Sequence, residues 1–190
     1  MLHKDAWLSE YFDQGAYAYK PPFDEGALPR GFICAKVPAD DVAAVQALCA
    51  QGFNVIETLV HFKQIAPTAS RFENGVNVRL SRPEDRQAVV DIARDAFTSS
   101  RLYQDAQIPF NTACAIKADW VDNFYNGKRG DCMIVAEEGG KILGFMLMIG
   151  TVIDLVAVSK DAYQKGVGTQ MLAFANKEIG LLSAGTQIIN

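Results

Sequence analysis

Histidine is nearly absent from this chain: His3 and His61 are the only two in 190 residues. That scarcity argues against a His-rich metal centre and against a catalytic Cys–His pair. The four cysteines, Cys34, Cys49, Cys114 and Cys132, form no C-x-x-C pair and no zinc spacing. No metal is expected, and the cysteines read as the reduced thiols of a cytoplasmic protein. No basic tract occurs, the net charge is −4 and the pI is about 5.2, so nucleic acid is not an expected partner. No apolar run approaches the roughly 18 residues of a membrane span. Met1–Asp13 carries one lysine and no apolar core, and is not expected to be a signal peptide.

What remains is an ordinary globular composition, 49% hydrophobic and 21% charged, at a length sufficient for one full domain or a small one beside a larger one. Residues 1–65 read as a small β-α-β unit. Phe32–Val37 is the first strand. A helix over Asp40–Gln51 is capped by Asp40, buries Val42, Val45, Leu48 and Cys49, and is closed by Gly52. Phe53–Gln64, rich in β-branched and aromatic residues, is the second strand. Residues 66–75, with Pro67, Ser70, Asn74 and Gly75, read as a linker.

From Val76 the expected element order is β-α-α-β-β-β-α-β. Val76–Leu80 alternates as a strand. Ser81-Arg-Pro-Glu84 has the chemistry of a helix start, with Ser81 as cap and Glu84 completing a capping box, ahead of the stripe Val89, Ile92, Ala93, Ala96 and Phe97. Thr98–Asn111 is a polar connection. Lys117–Asn126 is a short helix whose Trp120, Phe124 and Tyr125 read as core. Asp131–Glu137 and Lys141–Ile149 form a hairpin across Glu138-Gly139-Gly140. Val152–Val158 is a third strand, Gly166–Leu182 a helix and Thr186–Asn190 a last strand, left unpaired on its outer edge. A right-handed crossover lays these two strands parallel. The fold class is α+β, or mixed α/β: a mostly antiparallel sheet flanked by helices.

The chemistry concentrates where Val152–Val158 runs through a polar loop into Lys165-Gly166-Val167-Gly168-Thr169. The first N–H groups of a helix lack internal partners and sit at the positive end of its dipole. Glycines let a phosphate approach that backbone, so the segment suits a pyrophosphate, with Lys165 and the Thr169 hydroxyl able to add contacts. Met171 stands where a Rossmann fingerprint needs its third glycine, and the chain has no Gly-Lys-Ser/Thr of a P-loop. The alternative is that the two glycines only permit close packing. Elsewhere, Asp154 is the one charge in an apolar strand. It is a candidate base if desolvation raises its pKa, and strict alternation would place it on one face with Val152 and Val156. Glu137, Glu138 and His61 read as surface or packing residues. Met146 and Met148 line a strand face.

The stretch Tyr163-Gln164-Lys165-Gly166-Val167-Gly168 resembles the acetyl-CoA motif Q/R-x-x-G-x-G/A of the GNAT acetyltransferase superfamily. Both glycines match, and Tyr163 stands where Gln or Arg is usual. The resemblance runs from about Val76 to the C-terminus. It implies a GNAT-like domain over residues 76–190 and an N-acetyltransferase that moves an acetyl group from acetyl-CoA to a primary amine by direct attack. It also implies that the strand Ile153–Val158 splays from its neighbour and pairs with the pantetheine arm through Val156, Ala157 and Val158. Gln164, Lys165, Gly166, Val167, Gly168 and Thr169 would hold the pyrophosphate. The helix, the two strands and the tyrosine that complete such folds are not found before Asn190. Together with the β-α-β unit, the loop Ser99–Pro109 resembles bacterial acetyltransferases acting on nucleotide-linked amino sugars. There Arg101 would meet phosphate, Tyr103 would stack and Asp105 would bind hydroxyls or the amine. A small-molecule amine is the expected partner, and the exposed terminal edge leaves room for a homodimer. The rival readings are a non-catalytic CoA-binding or regulatory module, an interaction protein with a structural glycine loop, and an acetyltransferase acting on proteins or peptides.

Overall fold

The computed structural model describes residues 1–23, 26–68 and 75–190. The chain forms two compact units, Met1–Thr58 and Leu59–Asn190. Residues 69–74 of the expected linker, Ser70 and Asn74 among them, lie outside the described residues.

The first unit differs from the β-α-β expectation. Three short strands, β1 (Leu2–Lys4), β2 (Ala16–Tyr19) and β3 (Phe32–Ala35), form a sheet in that order, with β1 antiparallel and β3 parallel to β2. Helix α1 (Val42–Ala50) is capped one residue later than expected, by Asp41, whose carboxylate accepts from the Ala44 N–H at 3.0 Å. Phe53 is not part of a strand. Its ring stacks on Tyr19 at 6.1 Å, and Phe23 meets Tyr19 edge-on at 4.9 Å. Val55 and Ile56 are exposed. β-branched residues favour strands only where a pleated surface receives them, and none does here.

The second unit begins with what is left of that expected strand. β4 (Leu59–Lys63) opens a six-stranded sheet of order β4-β9-β8-β7-β6-β5. The others are β5 (Asn77–Leu80), β6 (Cys132–Glu138), β7 (Lys141–Ile149), β8 (Val152–Val158) and β9 (Ser183–Gln187). Every pairing is antiparallel except β8 with β9. The last strand therefore lies three residues earlier than expected and is not an edge: β4 pairs along it from Lys63↔Ser183 to Leu59↔Gln187. After a 3-10 turn at Pro83–Asp85, α2 spans Arg86–Ala96, and it is Asp85 instead of Glu84 that completes the capping box, accepting from the Arg82 N–H at 2.7 Å. The Ser81 hydroxyl pairs with the Tyr125 hydroxyl. The connection 98–111 contains a one-turn helix, α3 (Arg101–Gln104). The next helix, α4, begins at Phe110 and runs to Tyr125, because Ala113, Cys114 and Ile116 extend its buried face upstream. Helix α5 is Val167–Glu178.

The sheet carries a core on each face. Under α5 lie Ile134, Met146, Met148, Ile153, Val167 and Met171. Under α2 and α4 lie Val89, Ala93, Val121, Phe145, Leu147 and Leu155, with Trp120, Phe124 and Tyr125 packed at its margin. Among the described residues no helix is long and apolar enough to cross a membrane.

A polar junction ties β4 to the C-terminal end of α5. The Asn176 amide donates to Gln64 Oε1 at 2.6 Å and to the Gly180 carbonyl at 2.7 Å, while its oxygen accepts from the Thr68 N–H at 2.7 Å. Gln64 Oε1 also accepts from the Leu182 N–H at 2.9 Å. Asn176→Leu keeps the volume but strands these groups. It is expected to lower stability by about 2–3 kcal/mol, read as a reduced denaturation midpoint in urea at unchanged slope.

Candidate active site

β8 and β9 share only two registered pairs, Val152↔Ser183 and Ile153↔Ala184. Beyond them β8 continues to Val158 against β7 alone, with no strand on its other side among the described residues. Half of the polar backbone groups of residues 155–158 thus face an opening between two parallel strands. Val156 is 41% exposed beside it, whereas Ala157 is buried.

The start of that opening coincides with an irregularity the strand's sequence does not announce. Leu147 pairs with Leu155 and Met148 with Ile153, which leaves Asp154 as an extra residue in β8. A bulge of this kind breaks the alternation of faces. Ile153 accordingly packs under α5, while Leu155, two residues on, packs under α2 and α4. The expected common face of Val152, Asp154 and Val156 is therefore not formed. The Asp154 carboxylate is gripped by Arg129, whose Nε and a terminal nitrogen donate to its two oxygens at 2.7 and 2.6 Å. Arg129 in turn lies 4.5 Å over the Trp120 ring, which also carries the buried Lys117 ammonium at 4.4 Å. With both oxygens accepting from one guanidinium, Asp154 serves to anchor the bulge and is poorly placed to take a proton from a substrate.

The polar loop delivers the chain to α5 through two left-handed residues, Gln164 (φ 62°) and Gly166 (φ 77°). A non-glycine residue in that region stores strain, and such strain gathers where a ligand must be met. Gly166 is the N-cap of α5 and no side chain caps the helix. Val167 is buried and fixes the helix to the sheet, Gln164 and Lys165 are exposed, and Gly168 and Thr169 are half-buried. A Cβ on Gly168 would meet nothing within 4 Å. Gly144 of β7 is the contrast: a Cβ there would stand 2.7 Å from the Ala157 carbonyl oxygen and 3.3 Å from the Met171 methyl. Close packing of α5 on the sheet thus needs Gly144, whereas the space over Gly168 is open.

Val156, Ala157 and Val158 and the segment Gln164–Thr169 are brought to one end of the sheet, on either side of a 3-10 turn at Lys160–Ala162. The polar loop residues are engaged otherwise. The Tyr103 hydroxyl donates to the Arg94 carbonyl at 2.9 Å, and its ring meets Phe110 edge-on at 5.5 Å. Burial, and then a hydrogen bond with Cys114, raise its pKa. Asp105 accepts from the Gln107 N–H at 2.9 Å and so closes its own turn. Arg101 lies half-buried in α3. None of these contacts directs the loop toward the opening. Among the described residues no three His, Cys, Asp or Glu side chains converge as metal ligands would.

No family model matches the chain. Over 170 residues it is 28% identical to the spore coat polysaccharide biosynthesis protein SpsD of Bacillus subtilis, a match that covers 84% of this chain and 58% of SpsD. The chain therefore spans less than two thirds of that relative's length. Among solved structures it is similar to a functionally unknown conserved protein from Staphylococcus epidermidis, with 18% identity, a TM-score of 0.56, and 82% of this chain and 62% of that one covered. It is also similar to a GNAT family acetyltransferase from Brucella melitensis in complex with acetyl-CoA, with 20% identity, a TM-score of 0.42, and 55% and 68% covered.

Proposed function

We propose that this chain is an acetyl-CoA-dependent N-acetyltransferase that acetylates the primary amine of a small molecule, and that the acceptor is a nucleotide-linked amino sugar. One observation carries the reading: a strand edge left open between parallel strands runs into an uncapped helix N-terminus with clear space over Gly168. An extended amide-bearing arm can pair with such an edge, and a pyrophosphate with such a terminus. The backbone of Val156, Ala157 and Val158 would hold the pantetheine arm. The N–H groups of Gly166, Val167 and Gly168 would hold the pyrophosphate, with Gln164, Lys165 and Thr169 at its rim. The bound thioester supplies an acetyl group activated for attack by nitrogen. The protein's contribution is position: β8 fixes the arm lengthwise, and the bulge pinned by Arg129 and Asp154 sets where the opening begins. The carbohydrate acceptor is supported by the polysaccharide role in the name of SpsD, and the acetyl-CoA donor by the match between the glycine segment and the GNAT motif.

The test is thermal unfolding with and without excess acetyl-CoA. A ligand at about 100 times its Kd adds roughly 2.7 kcal/mol, which raises the midpoint of a chain this size by several degrees. Release of free CoA thiol on addition of nucleotide-linked amino sugars then tests the acceptor. An unchanged midpoint at millimolar acetyl-CoA would sink the reading.

A further inference from the structure

We propose that His61, on β4, is the general base that takes the proton from the acceptor amine; the assignment rests on the acetyltransferase reading above. His61 stands opposite Gly185 of β9. Gly185 is the first residue of β9 beyond Ala184, its last partner in β8, so it sits where the opening starts. The imidazole lies across it: Cε1 and Nδ1 are 3.1 and 3.2 Å from where a Cβ on Gly185 would be. A Cβ there would crowd the ring and make it shift by a few tenths of an ångström. Ala184 packs with the core under α5, and alternation turns Gly185, and with it the ring, to the other face of the sheet. α5 and its N-terminus occupy one face; on the other, α2 and α4 cover β8 at Leu155 and Ala157, but among the described residues that core includes none of β9 or β4, so an acceptor arriving over β9 beside the opening meets the exposed imidazole.

Four other titratable side chains around the sheet are committed elsewhere. Asp154 is held by Arg129, Glu137 by Arg79, Tyr103 donates to a carbonyl, and Tyr125 pairs with Ser81. The charged neighbour of His61 on its own face of β4 is Lys63, and β9, the strand against it, carries no titratable side chain. An imidazole nitrogen can accept a proton and give it back, as a base for an ammonium must. In the step, His61 accepts one proton from the acceptor ammonium. The freed amine forms the C–N bond as the C–S bond breaks, its second proton goes to the departing sulfur, and the imidazolium returns its proton to water.

The experiment compares the unaltered protein with His61→Gln, His61→Ala and Gly185→Ala, using acetyl-CoA and nucleotide-linked amino sugars. His61→Gln is expected to lower kcat by about 10²–10⁴-fold and to remove the acid limb of the rate profile. KM for acetyl-CoA and the thermal shift it produces should stay as they were. Added imidazole should restore part of the rate of His61→Ala, and Gly185→Ala should lower kcat by displacing the ring. The His61 Cε1–H resonance, identified by its loss in His61→Gln, should move when acetyl-CoA is added. If the unaltered protein shows no acetyl-CoA shift, the acetyltransferase reading fails and this assignment with it. If it binds acetyl-CoA but the resonance does not move, or if His61→Gln keeps its kcat and acid limb, the assignment of His61 alone is overturned.

Discussion

Gly168→Ala is expected to make the free protein more stable and its complex with acetyl-CoA weaker. The two signs come from separate causes. Gly168 is the second residue of α5, and a Cβ there touches nothing within 4 Å. Alanine in a helix is favoured over glycine by about 0.5–1 kcal/mol, so the unfolding midpoint without ligand should rise by one to a few degrees. The same methyl intrudes on the space through which a pyrophosphate would reach the N–H groups of the first turn, so the added stabilisation from acetyl-CoA should fall. Gly168→Glu sharpens the contrast. A carboxylate in the first turn suits the helix dipole and leaves the free protein sound, yet it sets a negative charge against the phosphates. The roughly 2.7 kcal/mol gained at 100 times the Kd should vanish. Scanning calorimetry on the three proteins, each with and without acetyl-CoA, reads both signs at once. A Gly168→Glu chain stabilised as fully as the parent would mean that the pyrophosphate does not lie there.

The elements around the candidate site are legible in the sequence because they are local. β7 and β8 fall at Lys141–Ile149 and Val152–Val158, as their apolar runs predict, and the helix after the glycines begins one residue from its expected start. Local pattern fails where pairing decides. The bulge at Asp154 exists only as a mismatch of register between β8 and β7, and an isolated apolar strand with one acid gives no sign of it. Arg129 reaches Asp154 across 25 residues of sequence. β4 reads as the close of an N-terminal unit, yet pairs with β9 more than a hundred residues on. That pairing is what gives His61 a neighbour in Gly185. A signal could still have been found there: an Ala-Gly step inside a strand-like segment marks close approach of another group.

The upstream edge of the sheet carries the other large effect. Arg79 of β5 forks onto Asp85, donating at 2.6 and 2.9 Å, and also donates through Nε to Glu137 of β6 at 3.1 Å. It thereby fastens the edge strand to the entrance of α2. The Asp85 side chain is only 8% exposed, and the hydrogen bonds from Arg79 hold its carboxyl below the usual carboxylate range. A carboxyl whose folded pKa lies below its unfolded value of about 3.9 contributes stability that is complete above that value and is lost as pH falls through the folded one. The parent should therefore keep its stability to about pH 4 and lose this contribution only below it. Arg79→Met removes the cation and keeps the stem's apolar contacts. At pH 7 it leaves Asp85 charged, nearly buried and without its partner, at a cost of about 3 kcal/mol, toward the low end for breaking a buried pair. Protonation relieves that charge, so acid should help the variant while it harms the parent. The gap between their urea midpoints should be widest near neutrality and should close as the pH falls below about 4. A gap independent of pH would mean that Arg79 stabilises the edge by packing and not by charge.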